Sequence, residues 1–460
     1  MPLYAGVCET DITPPPGVWL SGYALRPTPA VAVHDPLMAR ALVLDNGFTR
    51  VALIVADLIA FPPEMVTHLR AGIAEAAGIG PEALLLHATH THAGPYLGIF
   101  RGMGPRDPAY EDVLLRKLIG IAQQAANRLQ SAHLTYGESS VQIGVNRRQP
   151  HRADAVVMGQ DYAGLVAPIV QTLCVNASDG RLFALLFCHA CHPTTVGGEN
   201  LAFSAEWCGA AVNHLKMRFQ REAAESGVAP NALPFCLQGC CGDINPLRRG
   251  SWEAIEEAGR AVADAAHTAR WNAHGHLGVT LKATEVTLEL PMLPPPPVAE
   301  CRRLISEWEE TLERDRAANA PTGRLLFDEG WRNWAQDSLY LAKHPEKIRP
   351  QPFAIQHLDL GGVHFLGFPG EMFVQYQLDF AVQSHAPVFS LGYTNGCWNY
   401  VPTAAEYAYG GYEVAEAYKY YGTLMFAPEC EQRIRAAVYS LLKLAAPDTS
   451  PYQPQHGRAR

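Results

Sequence analysis

The sequence predicts an α/β fold, layered on a mostly buried mixed sheet flanked by helices. Short apolar runs recur along the chain and read as strands, and between them lie stretches whose apolar residues fall at helical spacing. Composition agrees, because 460 residues that are 48% hydrophobic and 18% charged can bury a large core.

Strands are expected at residues 41–44, 51–57, 83–87, 170–175, 182–187, 233–237, 278–290, 353–360 and 363–368. Many are continuous apolar runs rather than alternating ones, which suits a sheet covered on both faces. A helix should open at Asp107-Pro108, a capping residue followed by proline in the first turn, with Leu114, Leu118, Ile121, Ala125 and Leu129 on one stripe. A second should follow Ser251, burying Ile255, Val262 and Ala266. The run Pro294 to Pro297 stiffens the entry into a helix over 298–318, where Leu304, Trp308 and Leu312 stand four residues apart. Paired with a helix over about 324–341, it would make a helical hairpin insertion spanning 294–345. Residues 1–445 then read as one domain and 446–460 as a flexible tail with nothing to build a core from.

A net charge of −9 gives no reason to expect nucleic acid or an anionic membrane as partner. The N-terminal residues lack the basic and apolar regions of a secretory signal. No stretch holds the roughly 20 apolar residues a membrane-spanning helix needs, so the expected location is the cytoplasm, with no stable membrane association. Eleven cysteines, several in apolar segments, read as reduced core thiols. The pair Cys188 and Cys191 has metal or redox spacing, but no second pair at zinc-ribbon distance supports that use.

Chemistry concentrates at the ends of apolar runs. His90-Thr91-His92 follows the run 83–87, and in an extended strand alternate side chains share a face, so both imidazoles could serve one metal or one substrate. His192, in His192-Pro193-Thr194-Thr195, ends a second run. Glu371 follows Pro369-Gly370, where a strand should break and a helix begin, with Phe373, Tyr376 and Phe380 facing inward and the helix N-terminus favouring the charge. Two neutral imidazoles and a carboxylate make a normal catalytic zinc set. Each residue alone also reads as a hydrogen-bonded rim side chain or, for Glu371, as a first-turn helix charge.

Several motifs in order resemble the neutral ceramidases, zinc amidases that cleave the fatty-acid amide of ceramide, and their shorter bacterial relatives of unassigned substrate. They are Asp11-Ile12-Thr13-Pro14, Leu20-Ser21-Gly22-Tyr23-Ala24, His34-Asp35-Pro36, His90-Thr91-His92-Ala93-Gly94-Pro95 and the C-terminal tyrosine cluster. The resemblance covers nearly the whole chain, without the immunoglobulin-like C-terminal domain of true ceramidases, so 1–445 would be the catalytic domain. It implies one Zn2+ per chain, held by His90, His192, Glu371 and Tyr412. It makes His92 the general base, places Arg147 near the scissile carbonyl and has Gly22 line the site through its backbone. Tyr412 also reads as a packed aromatic among Tyr407, Tyr409, Tyr418, Tyr420 and Tyr421.

The resemblance breaks at Asn245, where ceramidases carry a serine. An asparagine cannot be a nucleophile, but its amide can donate to a developing oxyanion, so a metal-activated water mechanism survives the change. Asp243 either orients neighbouring groups or caps a turn, and the cap is the preferred reading. The expected activity is hydrolysis of a carboxylic amide on a soluble small molecule other than ceramide. A lactonase or esterase using the same site, or a non-catalytic metal- or carbohydrate-binding protein, are the alternatives.

Overall fold

The computed structural model describes residues 2–152, 154–226, 232–273 and 275–444, so the expected tail lies outside the described residues. Its main layer is an eight-stranded mixed sheet. In spatial order the strands are Leu233–Gln238, Leu182–His189, Ile169–Ala177, Gln130–Ser140, Leu3–Asp11, Met38–Asp45, Arg50–Ala56 and Leu84–Ala88. Pairing is parallel at the two ends of the sheet and antiparallel between them. The edge strands therefore run in opposite senses. Twist accumulated over eight strands nonetheless carries their C-terminal ends together, where the Gln238 N–H donates to His87 Nε2 at 2.8 Å.

Register shows what covers each face. Tyr4 pairs with Ser131, so by the two-residue period Gly6 and Gly137 point to the same side. The helix Pro108–Ala126 sits on Gly6, where an added Cβ would come 2.0 Å from the Ala125 carbonyl oxygen. The helix Trp252–Trp271 sits on Gly137 in the same way, 2.0 Å from the Ala269 oxygen. The opposite face meets a second sheet, in the order Leu281–Leu290, Gln351–Leu360, Val363–Gly367 and Val388–Leu391. Tyr136 packs edge-on against Phe389, and Gln171 Nε2 donates to the Val388 carbonyl. Both faces are covered as expected, but the second cover is a sheet.

Local signals operate as the sequence suggests. Asp107 accepts the Tyr110 N–H at 3.0 Å and Ser251 accepts that of Ala254 at 3.2 Å, each capping its helix. The helices Val298–Ala317 and Thr322–Lys343 pack together through Trp308, Phe327 and Trp331. Trp334 Nε1 donates to the Thr423 carbonyl, tying this pair to the tyrosine-rich segment. All eleven cysteines are buried and free.

Gly137→Ala should lower unfolding free energy by about 1–3 kcal/mol through overpacking, read as a lower urea midpoint. Gly120→Ala, where an added Cβ meets nothing within 4 Å, is the control and should hold or raise the midpoint. A Gly137→Ala protein as stable as the parent would refute this close approach.

Candidate metal centre

The strand Leu84–Ala88 ends two residues before His90, and His90 takes a left-handed backbone with φ 66°. The two histidines are therefore not brought together by the pleat of a strand, as expected, but by a turn that costs about 1–2 kcal/mol in a non-glycine residue. Backbone bonds hold the turn: Thr89 N–H to the Ala56 carbonyl, His90 N–H to that of Leu58 and His92 N–H to that of Pro193.

The three histidines share one hydrogen-bonding pattern. His90 Nδ1 lies 2.7 Å from the Ile59 carbonyl oxygen, His192 Nδ1 2.6 Å from that of Cys241, and His92 Nδ1 3.0 Å from that of Gly22. A carbonyl only accepts, so each Nδ1 carries the proton and each neutral ring presents a lone pair at Nε2. These lone pairs converge: His90 Nε2 stands 3.2 Å from both His192 Nε2 and His92 Nε2. Glu371 Oε2 closes a triangle, 3.1 Å from His192 Nε2 and 3.5 Å from His90 Nε2. Donor atoms about 2.1 Å from a tetrahedral ion stand about 3.4 Å apart, so the triangle has the size of one face of such a site. Acceptors facing acceptors in a buried place call for a cation, and the residues fit one.

Electrostatics agree. Burial holds the His192 imidazole down at about 4 and, with the neighbouring His90 and His192, His92 well below its usual range. Burial opposes the Glu371 charge, and positive charge at the His90 and His192 corner, which a bound cation would supply to the neutral rings, holds that carboxyl well below its usual range. Glu371 does not sit at a helix N-terminus as expected. It lies in the short strand Glu371–Met372, paired with Tyr400–Val401, and the helix Val374–Gln383 starts three residues on. Its charge is supported instead by Tyr421, whose hydroxyl donates to Oε1.

Asp243 takes the helix position: its Oδ1 accepts the Val374 N–H at 2.8 Å and its Oδ2 accepts Asn146 Nδ2 at 3.0 Å. It is a cap, though of a helix 131 residues away and not of its own turn. Gly22, with φ 91°, lies against His92, where an added Cβ would be 2.6 Å from the ring. Arg147 is buried and bonded at every nitrogen: Nε to Glu413 Oε1 at 2.7 Å, Nη1 to Asn245 Oδ1 at 3.3 Å and Nη2 to the Tyr400 hydroxyl at 2.9 Å. Asn245 Oδ1 also accepts Thr194 Oγ1, and its Nδ2 has no hydrogen bond among the described residues.

Tyr412 lies beside this group with its ring 5.8 Å from the Arg147 guanidinium, and its hydroxyl has no hydrogen bond among the described residues. Tyr393 stacks on His90 at 3.7 Å and reaches Glu371 Oε2 at 3.4 Å. Tyr393, Tyr400, Tyr421 and Glu413 escaped the sequence reading. Tyrosines in a tyrosine-rich tail carry no mark of which faces the site. The one available signal for Glu413 is that two adjacent arginines, Arg147 and Arg148, need a buried counter-charge. Among the described residues, His90, His92 and His192 form the one group of three histidine, cysteine or carboxylate side chains placed to hold a metal.

Residues 3–276 match the family model for the N-terminal region of neutral/alkaline non-lysosomal ceramidases. The chain belongs to that family. Among solved structures it is similar to neutral ceramidase from Pseudomonas aeruginosa, at 20% identity over 99% of this chain and 76% of that one, with a TM-score of 0.69. It is also similar to a ceramidase complexed with C2, at 19% identity over 100% and 78% of the two chains, with a TM-score of 0.70. Comparison with curated proteins gives no match. Ceramidase family and fold support a hydrolase acting on amides. No described helix is long and apolar enough to cross a membrane.

His90→Ala and His192→Ala should each lose most bound divalent ion, measured by elemental analysis of purified protein, while keeping the parent's circular dichroism. Full metal occupancy in either variant would remove that residue from the ligand set.

Proposed function

We propose that this chain is a zinc-dependent hydrolase that cleaves a carboxylic amide with metal-activated water, using one Zn2+ per chain. The observation that carries this is the convergence of three Nε2 lone pairs, each enforced by an Nδ1–H bond to a backbone carbonyl, beside the ionised Glu371. We assign His90, His192 and Glu371 as ligands because they close the triangle, and Tyr412 as the fourth because its hydroxyl has no hydrogen bond among the described residues and its ring lies beside Arg147. A zinc ion in such a set of nitrogen and oxygen donors supplies Lewis acidity and a water acidic enough to ionise near pH 7.

His92 touches the triangle at one corner and is the half-exposed member of the three histidines. Its Nδ1 is committed to the Gly22 carbonyl, and its depressed pKa keeps Nε2 unprotonated. Nε2 is therefore the atom that takes a proton from the attacking water and returns it to the leaving nitrogen. Arg147 Nη1, Asn245 Nδ2 and the Gly22 N–H are the donors assigned to the carbonyl oxygen as negative charge develops there. Asp243 keeps Arg147 in register, its carbonyl accepting the Arg147 N–H at 2.8 Å.

Asn245 supports a substrate other than ceramide, because ceramidases carry a serine there and the amide replaces a hydroxyl with a donor of different reach. We favour a soluble amide. An ester or lactone is the second reading, since the same attack serves both. Residues 1–445 act in this reading as one catalytic unit, with 294–345 an inserted hairpin. Eleven buried free thiols suit the reducing cytoplasm.

His92→Ala should keep its metal and lose about two to four powers of ten in turnover of a panel of soluble amides and esters. Metal lost with activity would make His92 a ligand, and unchanged turnover would end its role as base. Chelation by EDTA should abolish activity in the parent. Bound metal without turnover of any member would favour the metal- or carbohydrate-binding reading. Asn245→Ser should leave metal content unchanged and alter the relative rates across the panel; identical rates would separate this residue from substrate choice.

A further inference from the structure

Arg147 and Arg148 are consecutive residues of the strand Gly144–Arg152, yet both reach one carboxylate. They can do so because pairing with the neighbouring strand Ala155–Asp161 shifts register between Asn146 and Arg148, turning two adjacent side chains toward one side. Glu413 divides its oxygens between them, Oε1 to Arg147 Nε and Oε2 to Arg148 Nη1, each at 2.7 Å. Arg148 also bonds Glu406 and the carbonyls of Glu406 and Gly410, so it anchors the carboxylate to the segment 404–413. With Nε held by Glu413, the guanidinium can turn only its two Nη atoms inward, and these meet Asn245 and Tyr400.

Building on the hydrolase reading, we propose that Glu413 is a positioning residue that aims the Arg147 guanidinium at the substrate carbonyl. It works by accepting at Nε, which leaves the Nη edge for Asn245, Tyr400 and the reacting oxygen. It also supplies one shared counter-charge to two adjacent buried guanidiniums. Glu406 cannot replace it, because that carboxylate contacts Arg148 and not Arg147.

The test pairs Glu413→Gln and Glu413→Asp with Arg147→Ala in full-length, metal-loaded protein. Glu413→Gln should lower kcat about a hundredfold, the cost of misplacing a catalytic group by about an ångström, with KM little changed and bound metal retained. In the Arg147→Ala background the same substitution should change kcat by less than about twofold, as expected when one group acts through another. Equal losses in both backgrounds would overturn the proposal.

A second measurement needs no turnover. The Arg147 Nε–H proton resonance, assigned by its disappearance in Arg147→Lys, should exchange slowly in the parent and markedly faster in Glu413→Gln and Glu413→Asp. Unchanged exchange in both variants would show that Glu413 does not hold Arg147. A parent that turns over no amide or ester would end the hydrolase reading, while the resonance still decides whether Glu413 aims the guanidinium. Should Glu413→Gln fail to fold, Glu413→Asp, which keeps the charge and shortens the reach, carries both measurements.

Discussion

Three backbone carbonyls, those of Ile59, Cys241 and Gly22, determine the chemistry of this protein more than any side chain does. By accepting the Nδ1 protons of His90, His192 and His92 they select one tautomer in each ring and turn every Nε2 lone pair toward the same point. A rotated ring or the other tautomer would put a proton into the centre, and the acceptor cluster would be lost. The carbonyls belong to loops held by backbone bonds to other segments, Leu58 to His90, Gly242 to Met372 and Ser21 to Gly94, so the tautomers are consequences of the fold.

Those loops come from distant parts of the chain. His90 and His92 follow one edge strand of the large sheet, His192 follows the strand next to the other edge, and Glu371 follows the second sheet. Asp243 ties its own loop to two further segments, receiving Val374 and Asn146 through its carboxylate and Arg147 through its carbonyl. Burial pushes its carboxyl up to about 7 despite the Val374 bond. The site is thus a junction of layers, and its geometry depends on how the sheet curls.

The sequence showed the layers and the chemical identity of the centre more clearly than the reasons for them. Continuous apolar runs such as 51–57 and 233–237 announced buried strands, and Asp107 and Ser251 marked their helices. The strands Leu3–Asp11 and Gln130–Ser140 were missed because one face of each carries polar or small residues, including Gly6 and Gly137, which helices need there. His90, His92, His192 and Glu371 stood out because imidazoles and a carboxylate at the ends of apolar runs are uncommon. Their convergence through a left-handed turn and a two-residue strand was not legible, since neither has a periodic signature. The partnership of Glu413 with Arg147 spans 266 residues and leaves no local trace.

The outer edge of the large sheet has a further meaning. The strand Leu84–Ala88 would expose unpaired peptide groups to any passing chain, but Leu86 and Ala88 exchange hydrogen bonds with Tyr393 and Asn395, and His87 meets Gln238 of the opposite edge. The segment that brings Tyr393 onto His90 therefore also denies a docking template to foreign strands, so that protection from polymerisation and the shaping of the centre rest on the same few residues.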